Sequence, residues 1–111
     1  MTWWHGSGRI VGDLILPPSR TGVCRSGDDA LQDVVFVARS RGLALSYASS
    51  TDNPWLYEVE PIGPLQQDPG STLAAGESMM CVGARIVRRF KPSRAEVAAM
   101  RSVHRLTGIL P

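Results

Sequence analysis

Apolar residues change their spacing several times along this chain, and each change marks an element. Residues 10–16 (IVGDLIL) form a short apolar run that closes at Pro17-Pro18. Proline removes a ladder donor, so the run reads as a short strand or turn-strand ending there. Residues 34–37 (VVFV) are β-branched and aromatic, which suits a buried strand. Over residues 39–49 the period lengthens. Leu43 and Tyr47, with Ala44 and Ala48, recur at helical spacing and predict a short helix. Thr51-Asp52-Asn53-Pro54 then makes a turn. Residues 55–60 (WLYEVE) alternate, placing Trp55, Tyr57 and Val59 on one face of a strand that Pro61 and Pro64 stop. Another strand is centred on residues 84–87 within the segment 79–90.

The last element is a helix over about residues 93–107. Ser93-x-x-Glu96 is a capping box, in which serine hydroxyl and glutamate carboxylate satisfy each other's free backbone donors. Val97, Met100, Val103 and His104 follow at helical spacing, and Gly108 is a suitable C′ stop. Two long stretches lack periodicity: residues 19–33, with one helical turn expected near 28–32, and residues 65–76. Loops of that length in a small domain commonly carry function. The pattern predicts an α+β fold: a small, strongly bent, mostly antiparallel sheet with two short helices.

Composition narrows the class without naming a function. The 111 residues allow one compact domain spanning 1–111, and 43 % hydrophobic with 20 % charged residues is a globular balance, not a disordered one. No apolar run approaches the ~18 residues a membrane span needs. The cysteines, Cys24 and Cys81, form no CxxC and no zinc spacing, so no metal site is expected. With no signal-peptide pattern, a reduced cytoplasmic protein is the expectation. A net charge of +2 is too small to argue for nucleic acid. The basic residues nevertheless concentrate late, at Arg85, Arg88, Arg89, Lys91, Arg94, Arg101 and Arg105. They read as a solvated helix face or a phosphate-contacting surface, and nucleic acid is not the favoured partner.

Candidate chemistry begins at Trp3-Trp4-His5-Gly6-Ser7-Gly8. The indoles offer flat apolar faces, the imidazole one donor and one acceptor, and the glycines close backbone approach. Phe36 on the 34–37 strand and Tyr47 on the following helix add aromatic faces, and Asp68 lies in the Gly/Pro loop after Gln66-Gln67. Each has a bland reading as core, packing or turn residue, and His104 reads as an ordinary helix-face residue. Their order along the chain is what points to a site.

That order of histidine, aromatic and acid resembles ADP-ribosyltransferases, most closely the small rifamycin-inactivating family and its uncharacterised actinobacterial relatives. The resemblance covers about residues 3–87. It is carried by the aromatic-His-Gly opening, by Gly12-Asp13-Leu14, by Val35-Phe36-Val37 before a helix, and by Val59-Glu60-Pro61-Ile62-Gly63-Pro64 leading to Asp68-Pro69. It implies an ADP-ribosyltransferase-like fold and an enzyme that uses NAD as co-substrate. Such an enzyme cleaves the nicotinamide–ribose bond and passes ADP-ribose to an acceptor. A small-molecule hydroxyl such as that of a rifamycin is the best-precedented acceptor, in a bacterial or phage setting, with a macromolecular acceptor as the other option.

The resemblance also implies roles. His5 and Asp68 are the catalytic candidates, and His5, Gly6, Ser7, Phe36 and Tyr47 the NAD-binding ones. Glu58 and Glu60 are the alternative acids. Two departures stand out: Phe36 replaces a usual tyrosine, and the segment between Val37 and Trp55 is shorter than in antibiotic-modifying members. These departures favour the second reading, a catalytically weak or inactive nucleotide- or partner-binding module on the same fold. A third is a nucleic-acid-binding domain using the arginine-rich C-terminal segment.

Overall fold

The capping box and the alternating strands fold locally as their sequences dictate, whereas the sheet that joins them is built from distant pairings. A computed structural model describes residues 2–17, 34–67 and 76–107. Its strands are β1 (Trp3–Ser7), β2 (Leu14–Ile15), β3 (Val35–Ala38), β4 (Trp55–Ile62), β5 (Gln66–Gln67), β6 (Ser78–Cys81) and β7 (Gly83–Phe90). Its helices are α1 (Arg41–Ala48) and α2 (Arg94–Thr107). The strands form one seven-stranded sheet in the order β2-β7-β4-β1-β3-β6-β5, and every described pairing is antiparallel. The fold is α+β, as the pattern predicts.

Alternation along each strand sorts the side chains into two cores. On one face Trp3, Val35, Val37, Tyr57, Val59, Cys81 and Ala84 pack together with Ile15. On the other, Ala38 and Leu56 pack under Ala44, Leu45 and Ala48 of α1 and Val97 of α2. Trp4 tilts against Phe90 on this second face, with ring centroids 5.7 Å apart. The prediction that Trp55, Tyr57 and Val59 share a face therefore holds, and that face looks away from the helices.

Both helices begin at serine caps. Ser40 accepts the Leu43 N–H at 3.1 Å at the start of α1. At the start of α2, Ser93 Oγ accepts the Glu96 N–H at 3.1 Å, and the Glu96 carboxylate accepts the Ser93 N–H at 2.9 Å. The same carboxylate takes Arg41 Nη1 at 2.8 Å, tying α2 to α1. The Arg41 bond chiefly, with the Ser93 N–H, lowers the Glu96 pKa to about 2. A depressed carboxylate stabilises the fold above its unfolded pKa, because the unfolded chain takes up the proton first. This contribution is therefore lost as pH falls from about 4.5 to about 2. Melting temperature measured across that window should fall less steeply in Glu96→Gln than in the parent. Ser93→Ala should cost about 1 kcal/mol in urea unfolding.

The structure corrects several expected boundaries. β4 continues through Pro61 to Ile62 instead of stopping at Glu60. Proline is tolerated there because β1 covers β4 only from Trp55 to Val59, leaving one side of the strand without a neighbour at Pro61. Of residues 10–16, only Leu14–Ile15 are strand, because the Gly12-Asp13 turn breaks the run; Gly12 has φ +89°, the left-handed region. The 79–90 segment is two strands parted at Val82. Val87 is an extra residue that bulges from β7 opposite Glu58 and Val59. Within 65–76, Gln66–Gln67 pair with Met80 and Met79. The helical turn expected near 28–32, Cys24 and Gly108 lie outside the described residues.

Candidate functional site

β1 lies at the centre of the sheet, and its two neighbours treat it differently. Against β4 it pairs along its whole length, from Trp3↔Val59 to Ser7↔Trp55. Against β3 it registers only Trp4↔Ala38, although both strands continue beyond that pair. Beyond that pair His5, Gly6 and Ser7 run opposite Val37, Phe36 and Val35, and the ladder lapses there. His5 stands at the opening: its Nδ1 lies 2.8 Å from the Phe36 carbonyl. A carbonyl only accepts, so Nδ1 carries a proton and donates it to Phe36.

The two faces divide the remaining candidates. His5 shares its face with Tyr57, whose ring centroid is 6.2 Å away. Phe36 projects to the helix-bearing face, in the row that runs through Met80 to Gln66. Tyr47 reaches the same face from α1, its hydroxyl 3.5 Å from Ser78 Oγ in the strand beside β3. Tyr47 is 39 % exposed, so it is not the core residue its helical spacing would suggest. The ring pairs among the described residues are Trp4–Phe90 and His5–Tyr57, so Phe36 and Tyr47 are not stacked on each other.

Gly6 and Ser7 are held tightly. A Cβ at Gly6 would run into the Ala44 carbonyl, so this glycine lets α1 lie directly on β1. Ser7 is buried, and its hydroxyl donates to the Gly8 carbonyl at 3.0 Å. Asp68 lies outside the described residues. Its chain predecessor, Gln67, ends β5, which is three strand spacings from β1, about 14 Å across a flat sheet. The alternative acids are placed elsewhere. Glu58 and Glu60 project from the face opposite His5, where they pair with Arg88 at 3.8 Å and with Arg85. The Glu60 bond raises the Arg85 pKa.

Sequence reasoning missed the apparatus that fixes the loop after β1. Tyr57 is fully buried; its hydroxyl donates to the Gly8 carbonyl at 2.9 Å and accepts the Ile10 N–H at 2.8 Å. Burial pushes this phenol's pKa up, against the opposing pull of the Ile10 N–H and the Arg89 and Arg9 charges. Arg89 donates to the Ile10 carbonyl at 2.7 Å and to the Gly12 carbonyl. Alternation along β4 signals the Tyr57 face, but its partners are 47 and 49 residues distant in sequence and carry no local signal.

His104 is buried between the helices, not on an open helix face, with Nε2 2.8 Å from Ser46 Oγ. Nearby, Arg101 donates to the Ser49 and Thr51 carbonyls at 3.1 and 2.9 Å, holding α2 against the end of α1. Among the described residues, no group of three or more His, Cys, Asp or Glu could hold a metal ion. Nor is any described helix long and apolar enough to cross a membrane. No family model matches this chain, and no curated protein matches it.

Proposed function

We propose that this chain is an NAD-dependent mono-ADP-ribosyltransferase. The observation that carries the reading is the opening between β1 and β3 beyond Trp4↔Ala38, with the His5 ring bonded to the Phe36 carbonyl at its mouth. A dinucleotide needs a polar cleft between structured strands, and a strand pair that parts while both strands continue supplies backbone donors and acceptors for one. The sequence resemblance supplies the identity of the ligand.

In this reading His5 holds the adenosine ribose. Its Nδ1–H is committed to the Phe36 carbonyl, which fixes the orientation of the ring. The resemblance gives the nicotinamide-stacking role to Phe36 and Tyr47, which share the helix-bearing face, opposite to that of His5. Phenylalanine keeps the stacking surface of the usual tyrosine, and a lost neutral hydrogen bond costs only about 1 kcal/mol, so its presence is compatible with turnover. The resemblance gives the acidic role at the ribose being ionised to Asp68, which follows β5 in the chain. The nicotinamide–ribose bond breaks as nicotinamide leaves with the bonding pair as a neutral pyridine. The ribose carbon passes through an oxocarbenium-like state that Asp68 stabilises. The acceptor oxygen then bonds to that carbon and its proton passes to solvent. A rifamycin hydroxyl is the first acceptor to try.

Binding tests the cleft separately from chemistry. NAD should raise the melting temperature of the parent chain in a concentration-dependent way. His5→Ala should weaken NAD binding about tenfold, the worth of one well-placed hydrogen bond, with the fold intact by circular dichroism. Absence of any NAD-dependent shift in the parent contradicts the reading.

A further inference from the structure

A second recess lies on the face that carries His5, over β4 and β7. It is an open groove of about 260 Å³. Trp55 and Tyr57 of β4 line it on one side and residues 9–12 on the other, with Arg89 between them. The wall is fixed, because Tyr57 and Arg89 hold the Ile10 and Gly12 backbone as described above. The groove is thus preformed by the fold.

Its chemistry is specific. Val11 presents an apolar side chain that is 87 % exposed at the rim. The aromatic floor is bordered by cations: Arg89 lies 5.9 Å over the Tyr57 ring and Lys91 5.2 Å over the Trp55 ring. Arg9, exposed, is the second cation of the lining, and together with Arg89 it acts on the Tyr57 hydroxyl. The one carboxylate within reach of these cations among the described residues is Asp13, 3.4 Å from Arg89 and itself 87 % exposed. The Trp55 indole N–H is shielded from solvent and has no acceptor among the described residues. A flat apolar wall and surplus positive charge call for one kind of occupant.

We infer that this groove binds a planar aromatic group bearing a phosphate or carboxylate. The ring lies against Trp55 and Val11, and the anion meets Arg9. Tyr57 is the strand neighbour of His5, so the groove is the place where an acceptor rests beside the NAD cleft; this last assignment depends on the transferase reading, whereas binding does not. It narrows the acceptor class to anionic aromatics.

The test uses 1-naphthyl phosphate, 1-naphthoate and neutral 1-naphthol, titrated into the full chain. The readout is the Trp55 indole N–H resonance, assigned by its loss in Trp55→Phe. The phosphate or the carboxylate should shift that resonance and bind at least about tenfold more tightly than 1-naphthol, with affinity falling as salt is added. The tighter of the two anions identifies the natural head group. Arg9→Glu should weaken anion binding about tenfold or more. Arg9 makes no side-chain bond that holds the fold among those described, and Val11→Asp gives an independent repulsive variant. His5→Ala should leave binding unchanged. Equal binding of 1-naphthol, indifference to Arg9→Glu and Val11→Asp, or binding lost in His5→Ala but kept in Arg9→Glu each overturns the inference. Anion binding without any cleavage of NAD would sustain the groove and count only against the transferase reading.

Discussion

Replacing Gly6 with alanine is expected to destabilise the fold by about 3 kcal/mol, the upper end of what overpacking costs. The new Cβ would meet the Ala44 carbonyl and the Ala48 nitrogen of α1. These are backbone atoms of a helix, so no rotamer change relieves the clash. α1 must lift from β1, and it carries Leu45 and Ala48 of the second core with it. It also carries Tyr47, so the nicotinamide side of the proposed cleft should loosen with the fold. Gly8→Ala is the control: the nearest atom to its new Cβ is 3.9 Å away, and the change should stay within about 0.5 kcal/mol. Urea unfolding of both variants measures the difference. Equal stability of the two would mean that α1 does not rest on Gly6.

Asp68→Asn is expected to slow nicotinamide release about 10²–10³-fold while leaving NAD binding nearly unchanged, as removal of a preorganised transition-state charge partner does. Asparagine keeps the size and the hydrogen-bonding reach but not the charge. If orientation of a ribose hydroxyl were the whole contribution, the loss would be much smaller. Glu58→Gln and Glu60→Gln should have little effect on release. Both carboxylates lie on the face opposite His5, occupied with Arg88 and Arg85. A large loss in either, with Asp68→Asn unaffected, would reassign the acid.

Local features of this fold were readable in the chain because their physics is local. The Ser93–Glu96 box, the α1 periodicity and the shared face of Trp55, Tyr57 and Val59 each depend on residues within one or two turns or strand steps. Three kinds of feature were not readable. Two-residue strands such as Gln66–Gln67 are too short to show a period. The passage of β4 through Pro61 depends on where β1 ends, which β4 itself does not encode. The opening between β1 and β3, the seating of α1 on Gly6 and the grip of Tyr57 and Arg89 on residues 8–12 all arise from contacts between distant segments. Of the site, the sequence offered the residue types and their order. It did not reveal that His5 and the Phe36–Tyr47 pair occupy opposite faces, joined through the Phe36 carbonyl.

The central claim is that the opening at His5 is a cleft in which NAD is cleaved. Its most direct test is nicotinamide release from NAD by the purified chain, followed by chromatography with and without a rifamycin. The account predicts saturable release above the uncatalysed blank, a gain when a competent acceptor is present, and loss of release in Asp68→Asn. Release no faster than the blank under every acceptor condition, from a folded chain whose melting temperature NAD does not change, would contradict it.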